Sequence, residues 1–324
     1  MSRQSKRARL SEYADTPLQE LLTMLATMRP ADSREERRFV ERWVAPLGTA
    51  VDRAGSHTLR IGDAPVLWSC HTDTVHRRSG RQKIAVTGDK IQLAPFSGAS
   101  CLGADCTTGV WLMREMILAR VPGLYVFHAG EEIGGIGSQY IASHRPGLLA
   151  GIEYAIAFDR ARRDSVITHQ AGGRCCSTEF AVSIAEQLPG NYCLDAGGTF
   201  TDTANYMDII PECSNISIGY EHAHSRLETQ SVSHALALRK ALLQIKPERF
   251  VCARDPAAFD LDVDFGLFPR HRFGGAQHEN DLWAELECDE TDSFLDGPYT
   301  YPAYYEKSED IWDDNFWEPR KFKY

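Results

Sequence analysis

The stretch LYVFHAGEEIGGIGS, residues 124–138, decides the reading of this chain. Leu124 to Phe127 form a continuous apolar run of strand length, the signature of a strand buried on both faces. Just past its carboxyl end come two adjacent carboxylates, Glu131 and Glu132, and GIGSQYIASH then carries helical periodicity. A buried strand, a charged junction and a helix make up the repeating unit of a parallel sheet. In open sheets of that kind the site lies in the crevice beyond the carboxyl ends of the strands.

The same arrangement recurs on either side. PVLWSC runs into His71-Thr72-Asp73, YAIAFD ends on Asp159, and SNISIGY leads into Glu221-His222-Ala223-His224. SVITHQ and TEFAVSI read as further strands. HTLRI and PVLWSC, separated by Gly62-Asp63-Ala64, read as a hairpin. TPLQELLTMLATM, with Thr16 as N-cap and Pro17 at the first helical position, is a predicted helix. SREERRFVERWV is another, because Ser33 and Glu36 form a capping-box pattern. TTGVWLMREMILAR and SVSHALALRKALLQI complete the helices. Strands alternating with helices imply an α/β fold, a mostly parallel sheet covered on both faces.

Each strand-end group has an ordinary explanation when taken singly. His71 can be a satisfied surface histidine, Glu131-Glu132 a solvated turn, and Asp105 in LGAD a helix cap. Four such groups in succession at strand ends point instead to a metal site. Imidazole and carboxylate together suit zinc, and also cobalt or manganese. In His71-x-Asp73 the strand period puts both side chains on one side, where Asp73 can fix the imidazole tautomer. Asp105, at the mouth of a helix, is placed to bridge two ions. Glu131 and Glu132 can divide the work, one binding metal and the other facing water.

These segments, HTDTV, LGADCTTGV, HAGEEIGGIGS, AFDRA and HAHS, resemble the co-catalytic zinc aminopeptidases, carboxypeptidases and deacylases of the M20, M28 and M42 peptidase clan. The resemblance spans roughly residues 16–245. It implies a three-layer α/β/α, zinc-exopeptidase-like (phosphorylase/hydrolase-like) fold with a mixed, mostly parallel sheet. It implies that His71 and Asp159 hold one Zn2+, that Glu132 and His224 hold another, and that Asp105 bridges both. It further implies Glu131 as general base and Asp73 as the group that orients His71. The implied activity is hydrolysis of a peptide or amide bond in a small peptide or acylated amino acid, with metal-bound hydroxide as nucleophile. Two places depart from the pattern or leave it ambiguous. Cys106 stands where many relatives carry a second aspartate, and both His222 and His224 qualify as the late histidine, His224-Ser225 with Glu228 being the better match. Asp202, in Thr201-Asp202-Thr203, is a candidate supporting group, with a capped turn as its equal alternative. Arg160, Arg162, Arg163 and Arg174 can pair with a substrate carboxylate or simply stand in charged surface loops.

The gaps from His71 to Asp105 and from Asp159 to His224 are too short for an inserted domain of about 100 residues. A single catalytic domain over residues 13–250 and a monomer are therefore expected. Residues 1–12 form a basic N-terminus and residues 251–324 an acidic, aromatic-rich extension. The chain of 324 residues has a net charge of −10, which argues against nucleic acid as a partner. It contains neither an apolar run of membrane-spanning length nor a secretory signal. The 9 cysteines include no C-x-x-C pair, so reduced thiols in the cytoplasm are expected. H-E-x-x-H, G-x-S-x-G and G-x-x-x-x-G-K are all missing, which removes the rival catalytic signatures. The alternative from another class is a catalytically silent binding protein that keeps the fold and interacts through its acidic tail.

Overall fold

Pro17 suits the first turn of a helix, where its missing N–H has no intrahelical partner to lose. It opens α1, Pro17–Leu25, in the computed structural model of the chain, which describes residues 7–8 and 16–257. Leu18, Leu21, Leu22 and Leu25 recur at helical spacing and are all buried. The predicted helix runs on to Met28, but Thr27–Met28 instead pair antiparallel with Gly80–Arg81. Pro30 explains the early stop, because it biases the preceding residue toward extended backbone. In α2, Arg34–Trp43, the Ser33 hydroxyl accepts from the Glu36 N–H, as the capping pattern predicts.

Strands and helices then follow along the chain: β1 (Ala50–Val51), β2 (His57–Ile61), β3 (Val66–His71), β4 (Ile84–Thr87) and β5 (Lys90–Leu93). Next come α3 (Ala104–Leu118), β6 (Gly123–His128), α4 (Ile136–His144), β7 (Tyr154–Arg160) and β8 (Ser165–Ile167). The series closes with α5 (Thr178–Ala185), β9 (Cys193–Asp195), β10 (Glu212–Ser217), β11 (Tyr220–Glu221), β12 (Thr229–Ser231) and α6 (Val232–Leu242).

The main sheet has eight strands in the order β9-β8-β10-β7-β3-β6-β2-β1. Its four central strands, β10, β7, β3 and β6, are mutually parallel, so their carboxyl ends share one edge. Antiparallel pairs flank them, β6 with β2, β2 with β1, and β8 with β10. The sheet is thus mixed with a parallel centre, as expected. β3 and β6 are buried along their whole length, and each is an apolar run. Cys70 turns toward α3, while on the opposite face His128 of β6, bonded to Ser69, meets the Tyr206 hydroxyl from the 3-10 turn Asp202–Tyr206, so both faces of the sheet are covered. A smaller antiparallel sheet carries β4, β5, β12 and β11 and delivers Tyr220 to the site.

Two sequence expectations are corrected. HTLRI and PVLWSC do not form a hairpin, because β6 lies between β2 and β3 and pairs with both. A fully buried β3 needs neighbours on either side, and those come from distant segments. TEFAVSI is helix α5 rather than a strand, capped by the Ser177 hydroxyl, which accepts from the Phe180 N–H. Phe180, Ala181 and Ile184 face the core while Val182 is exposed, a helical spacing that a run this short leaves ambiguous.

The chain keeps contact with the sheet beyond residue 250. The Ala253 and Arg254 N–H groups donate to the Glu212 carboxylate at the start of β10. The acidic extension past Ala257, like residues 1–6 and 9–15, lies outside the described residues.

At Gly109, helix α3 touches the sheet so closely that a Cβ would meet Cys106 Sγ and the Phe158 carbonyl oxygen. Gly109→Ala is expected to destabilise the fold by about 1–3 kcal/mol through overpacking. An exposed helical glycine would instead gain roughly 1 kcal/mol from the same change. Urea denaturation reads the sign.

Candidate active site

The parallel centre of the sheet places His71, Glu131, Glu132 and Asp159 at one edge, and a buried aspartate joins two of the strand ends. His71 Nδ1 donates to Asp73 Oδ1 at 3.3 Å. Asp73 also accepts the Glu131 N–H at 3.2 Å and the Glu132 N–H at 3.1 Å. With Nδ1 thus engaged, His71 turns Nε2 inward, 3.1 Å from Asp105 Oδ1 and 3.2 Å from Asp159 Oδ1. Glu131 Oε2 lies 4.0 Å from the same nitrogen.

Asp105 sits at the centre. Its Oδ2 is 3.1 Å from His224 Nε2, which also lies 3.4 Å from Glu132 Oε2. One carboxylate therefore offers one oxygen to each histidine. The Tyr220 hydroxyl reaches Asp105 Oδ2 at 3.1 Å and the Asp159 carbonyl oxygen at 2.9 Å. Asp159 is fixed from the other side by Thr201, whose hydroxyl donates to Oδ2 at 2.7 Å, and by Asn215, whose Oδ1 accepts the Asp159 N–H.

The structure separates the two late histidines. Both are exposed, but His224 turns its Nε2 onto Asp105 in the cluster, whereas the contact that His222 makes is through its carbonyl oxygen, which accepts from the Ser225 hydroxyl. Asp202 stands behind the cluster. It accepts from the Ser138 hydroxyl at 2.6 Å and lies 3.3 Å from His128 Nδ1. Cys106, joined to Asp105 by a cis peptide, donates its thiol to the Phe158 carbonyl oxygen. Its sulfur also falls within 4.8 Å of the ligand atoms of His71 and Asp159.

Some supporting groups escape a sequence reading. Glu228 is buried and accepts four backbone N–H groups, those of Leu102, Gly103, Ala104 and Asp105, at 2.8–3.2 Å. It anchors the loop that carries Asp105. The His-Ser-x-x-Glu spacing was its only signal. Thr201 lay in the singled-out Thr201-Asp202-Thr203 segment without a role of its own, and Tyr220, Asn215 and His128 carried no signal, because their partners are far away in sequence.

The electrostatics ask for a cation. Burial, reinforced by Asp159, Asp202 and Asp105, pushes the Glu131 carboxyl up to about 10, with His71 opposing. Burial and the Asp105 charge push Asp159 up to about 8. Burial also raises Glu132, against its bond to His224. His224 is drawn up to about 11 by its bonds to Asp105 and Glu132. Protons hold this set of carboxylates together where cations would fit. One oxygen of Glu132, Oε1, is buried with no hydrogen-bond partner among the described residues. Two donor groups satisfy metal-ligand spacing around it, His71 with Glu131 and Glu132, and Asp105 with Glu132 and His224. The oxygen-and-imidazole chemistry fits zinc and its neighbours. A cavity of about 200 Å³ opens over the cluster, with Arg160, Gln170, Thr199 and Phe200 in its wall.

No protein-family model and no curated protein matches the sequence. Solved structures match the fold. Aminopeptidase PepT from Bacillus cereus superposes with a TM-score of 0.58 at 13% identity, over 72% of this chain and 98% of that one. A tripeptidase from Staphylococcus aureus gives 0.59 at 14% identity, over 72% and 97%. An aminopeptidase from the archaeon Desulfurococcus kamchatkensis gives 0.55 at 15% identity, over 72% and 96%. The chain therefore shares the α/β fold of these peptidases. The TET1 peptidase of Pyrococcus horikoshii, at a TM-score of 0.50 and 16% identity over 71% and 98%, is described as assembling into a tetrahedron or an octahedral shell.

Glu228→Ala would strand four N–H donors, each costing about 1–3 kcal/mol when buried and unpaired. The variant is expected to lose more than about 3 kcal/mol of stability and to bind a divalent cation more weakly, both read by calorimetry. A second test concerns Glu36, which accepts from the Thr72 hydroxyl beside His71. Burial pushes its carboxyl from 4.5 up to about 7, with the Thr72 bond opposing and Asp73 adding to the rise. Because the folded value is the higher one, its contribution to stability is full below pH 4.5 and is lost as pH rises through about 7. Glu36→Gln is expected to flatten that decline, as measured by urea denaturation across the interval.

Proposed function

We propose that the chain is a two-metal hydrolase that cleaves a peptide or amide bond at the end of a small substrate, an exopeptidase or an N-acyl-amino-acid deacylase. The observation that carries this reading is Asp105, whose two oxygens each face one histidine at 3.1 Å, with Glu131 alongside. His71, Asp105 and Asp159 would hold one ion, and Asp105, Glu132 and His224 the other. Zinc is the first expectation, with cobalt or manganese possible on the same donors. Bound there, the ions polarise the scissile carbonyl and acidify the attacking water.

The chain's own groups do the rest. Asp73 keeps the His71 proton on Nδ1, so the Nε2 lone pair faces inward. Glu131, 4.0 Å from His71 and bordering the cavity, takes the proton of the attacking water. It then returns that proton to the leaving nitrogen. Tyr220 and Thr201 fix the Asp105 and Asp159 carboxylates from outside the cluster. Asp202 stands at one remove, 3.3 Å from His128, whose ring is held by Ser69, the Cys70 carbonyl and Tyr206. A monomer is proposed from the missing inserted domain, and sedimentation measures it.

Purified protein is expected to carry two divalent ions per chain by elemental analysis. Glu131→Gln should retain them and lose about 10²–10⁴-fold in turnover, whereas His224→Ala should lose one ion and His222→Ala none. Metal-free wild-type protein, or undiminished turnover by Glu131→Gln, would overturn the reading.

A further inference from the structure

We infer that Arg160 is a substrate-carboxylate receptor, so that the residue released by the enzyme carries a free α-carboxylate. The inference rests on the hydrolase reading above and adds the class of substrate. Arg160 directly follows Asp159 at the end of β7, and a regular strand would send their side chains to opposite faces. The register of β7 against β10 shifts between Ala157 and Arg160, and both Asp159 and Arg160 line the same cavity. Irregularities of this kind re-aim side chains beside active sites.

The guanidinium is held from behind. Arg160 Nη2 donates to Asp195 Oδ2 at 3.2 Å. Asp195 does not line the cavity. It is itself fixed by the Ser165 hydroxyl at 2.9 Å and the Gly197 N–H at 2.8 Å. One point of the planar fork is thus pinned, and the remaining donors are left for another acceptor. Arg160 Nε is buried with no hydrogen-bond partner among the described residues. With Nε enclosed by protein, the partly exposed outer edge of the guanidinium is what a carboxylate in the cavity would meet, in the matching planar geometry.

The charge balance of the cavity agrees. The acids that line it are Asp105, Glu131, Glu132 and Asp159, all within the cluster. The basic groups are His224, which faces Asp105 and Glu132, and Arg160. The wall beyond the cluster therefore holds one charged group, Arg160, paired from behind with Asp195, and no cavity acid outside the cluster to receive a substrate ammonium. A dipeptide or N-acyl amino acid fits, with its amide carbonyl over the cluster and its carboxylate against Arg160.

The test uses the zinc-loaded full-length protein with N-acetyl-alanine and its carboxamide, whose binding is measured by calorimetry and whose hydrolysis is measured in parallel. The acid is expected to bind about 10- to 100-fold more tightly than the amide. Arg160→Gln should abolish that preference and raise KM more than it lowers kcat, while leaving the bound zinc unchanged. Arg160→Lys should keep an intermediate preference, which preserves the test if the glutamine variant fails to fold. Equal binding of acid and amide by the wild type overturns the inference, as does an unchanged preference in Arg160→Gln or tighter binding of alanine amide. The two readings fail separately. Acid-selective binding without turnover of either compound removes hydrolysis and keeps the carboxylate receptor, whereas turnover without selectivity does the reverse.

Discussion

Asp73 is the group on which the arrangement of the site depends. It is fully buried and accepts from the His71 ring and from the N–H groups of Glu131 and Glu132. Burial alone would favour the neutral acid, but the bonds it receives, led by that from His71, hold its carboxyl below the ordinary range. The charge is kept because it is surrounded by donors. Those donors belong to the ends of two adjacent parallel strands, so a single ionised side chain fixes one imidazole and the start of the Glu131-Glu132 turn together. Neither strand could hold these groups in place alone.

Crowding of like charge is the second constraint. Asp105, Glu131, Glu132 and Asp159 share a small volume with two histidines. Carboxylates so close cannot all ionise without compensation. Protonated histidines and neutral acids provide one form of balance, and divalent cations provide another with less loss of negative charge. The outer contacts suit the second form. Tyr220, Thr201 and Asn215 orient the acids without adding charge, and the crowding is left for an ion to relieve.

The residues that gather into the candidate cluster were legible in the sequence because their placement is periodic. Apolar strands end where the ligands begin, and the parallel centre of the sheet brings those ends to one edge. Helices with their own caps, such as the one that Ser33 starts, were equally legible because a cap acts over three residues. Elements decided by distant partners were not. β6 separates β2 from β3, which broke an expected hairpin that local turn residues alone seemed to support. Helix α5 looked like a strand because eight residues hold little more than two helical turns, too few to establish the longer period. His222 and His224 were indistinguishable by residue type, and only their placement after β11 separates them. Glu228 was visible in the His-Ser-x-x-Glu spacing but its role was not, since it binds backbone, which leaves no complementary residue type to search for.

Glu228 follows His224 by one turn of chain and holds the loop of Asp105 through four N–H groups. The 220s loop therefore does two things at once, presenting an imidazole at its start and gripping the opposing carboxylate's backbone at its end. Those two parts of the cluster move as one body even though 119 positions separate Asp105 from His224 in the chain. The entropy of bringing them together is lost during folding rather than when an ion arrives. Affinity for a cation held there would in this way be partly fixed by a residue that never touches it, and changes in that loop would reach the site through geometry rather than charge.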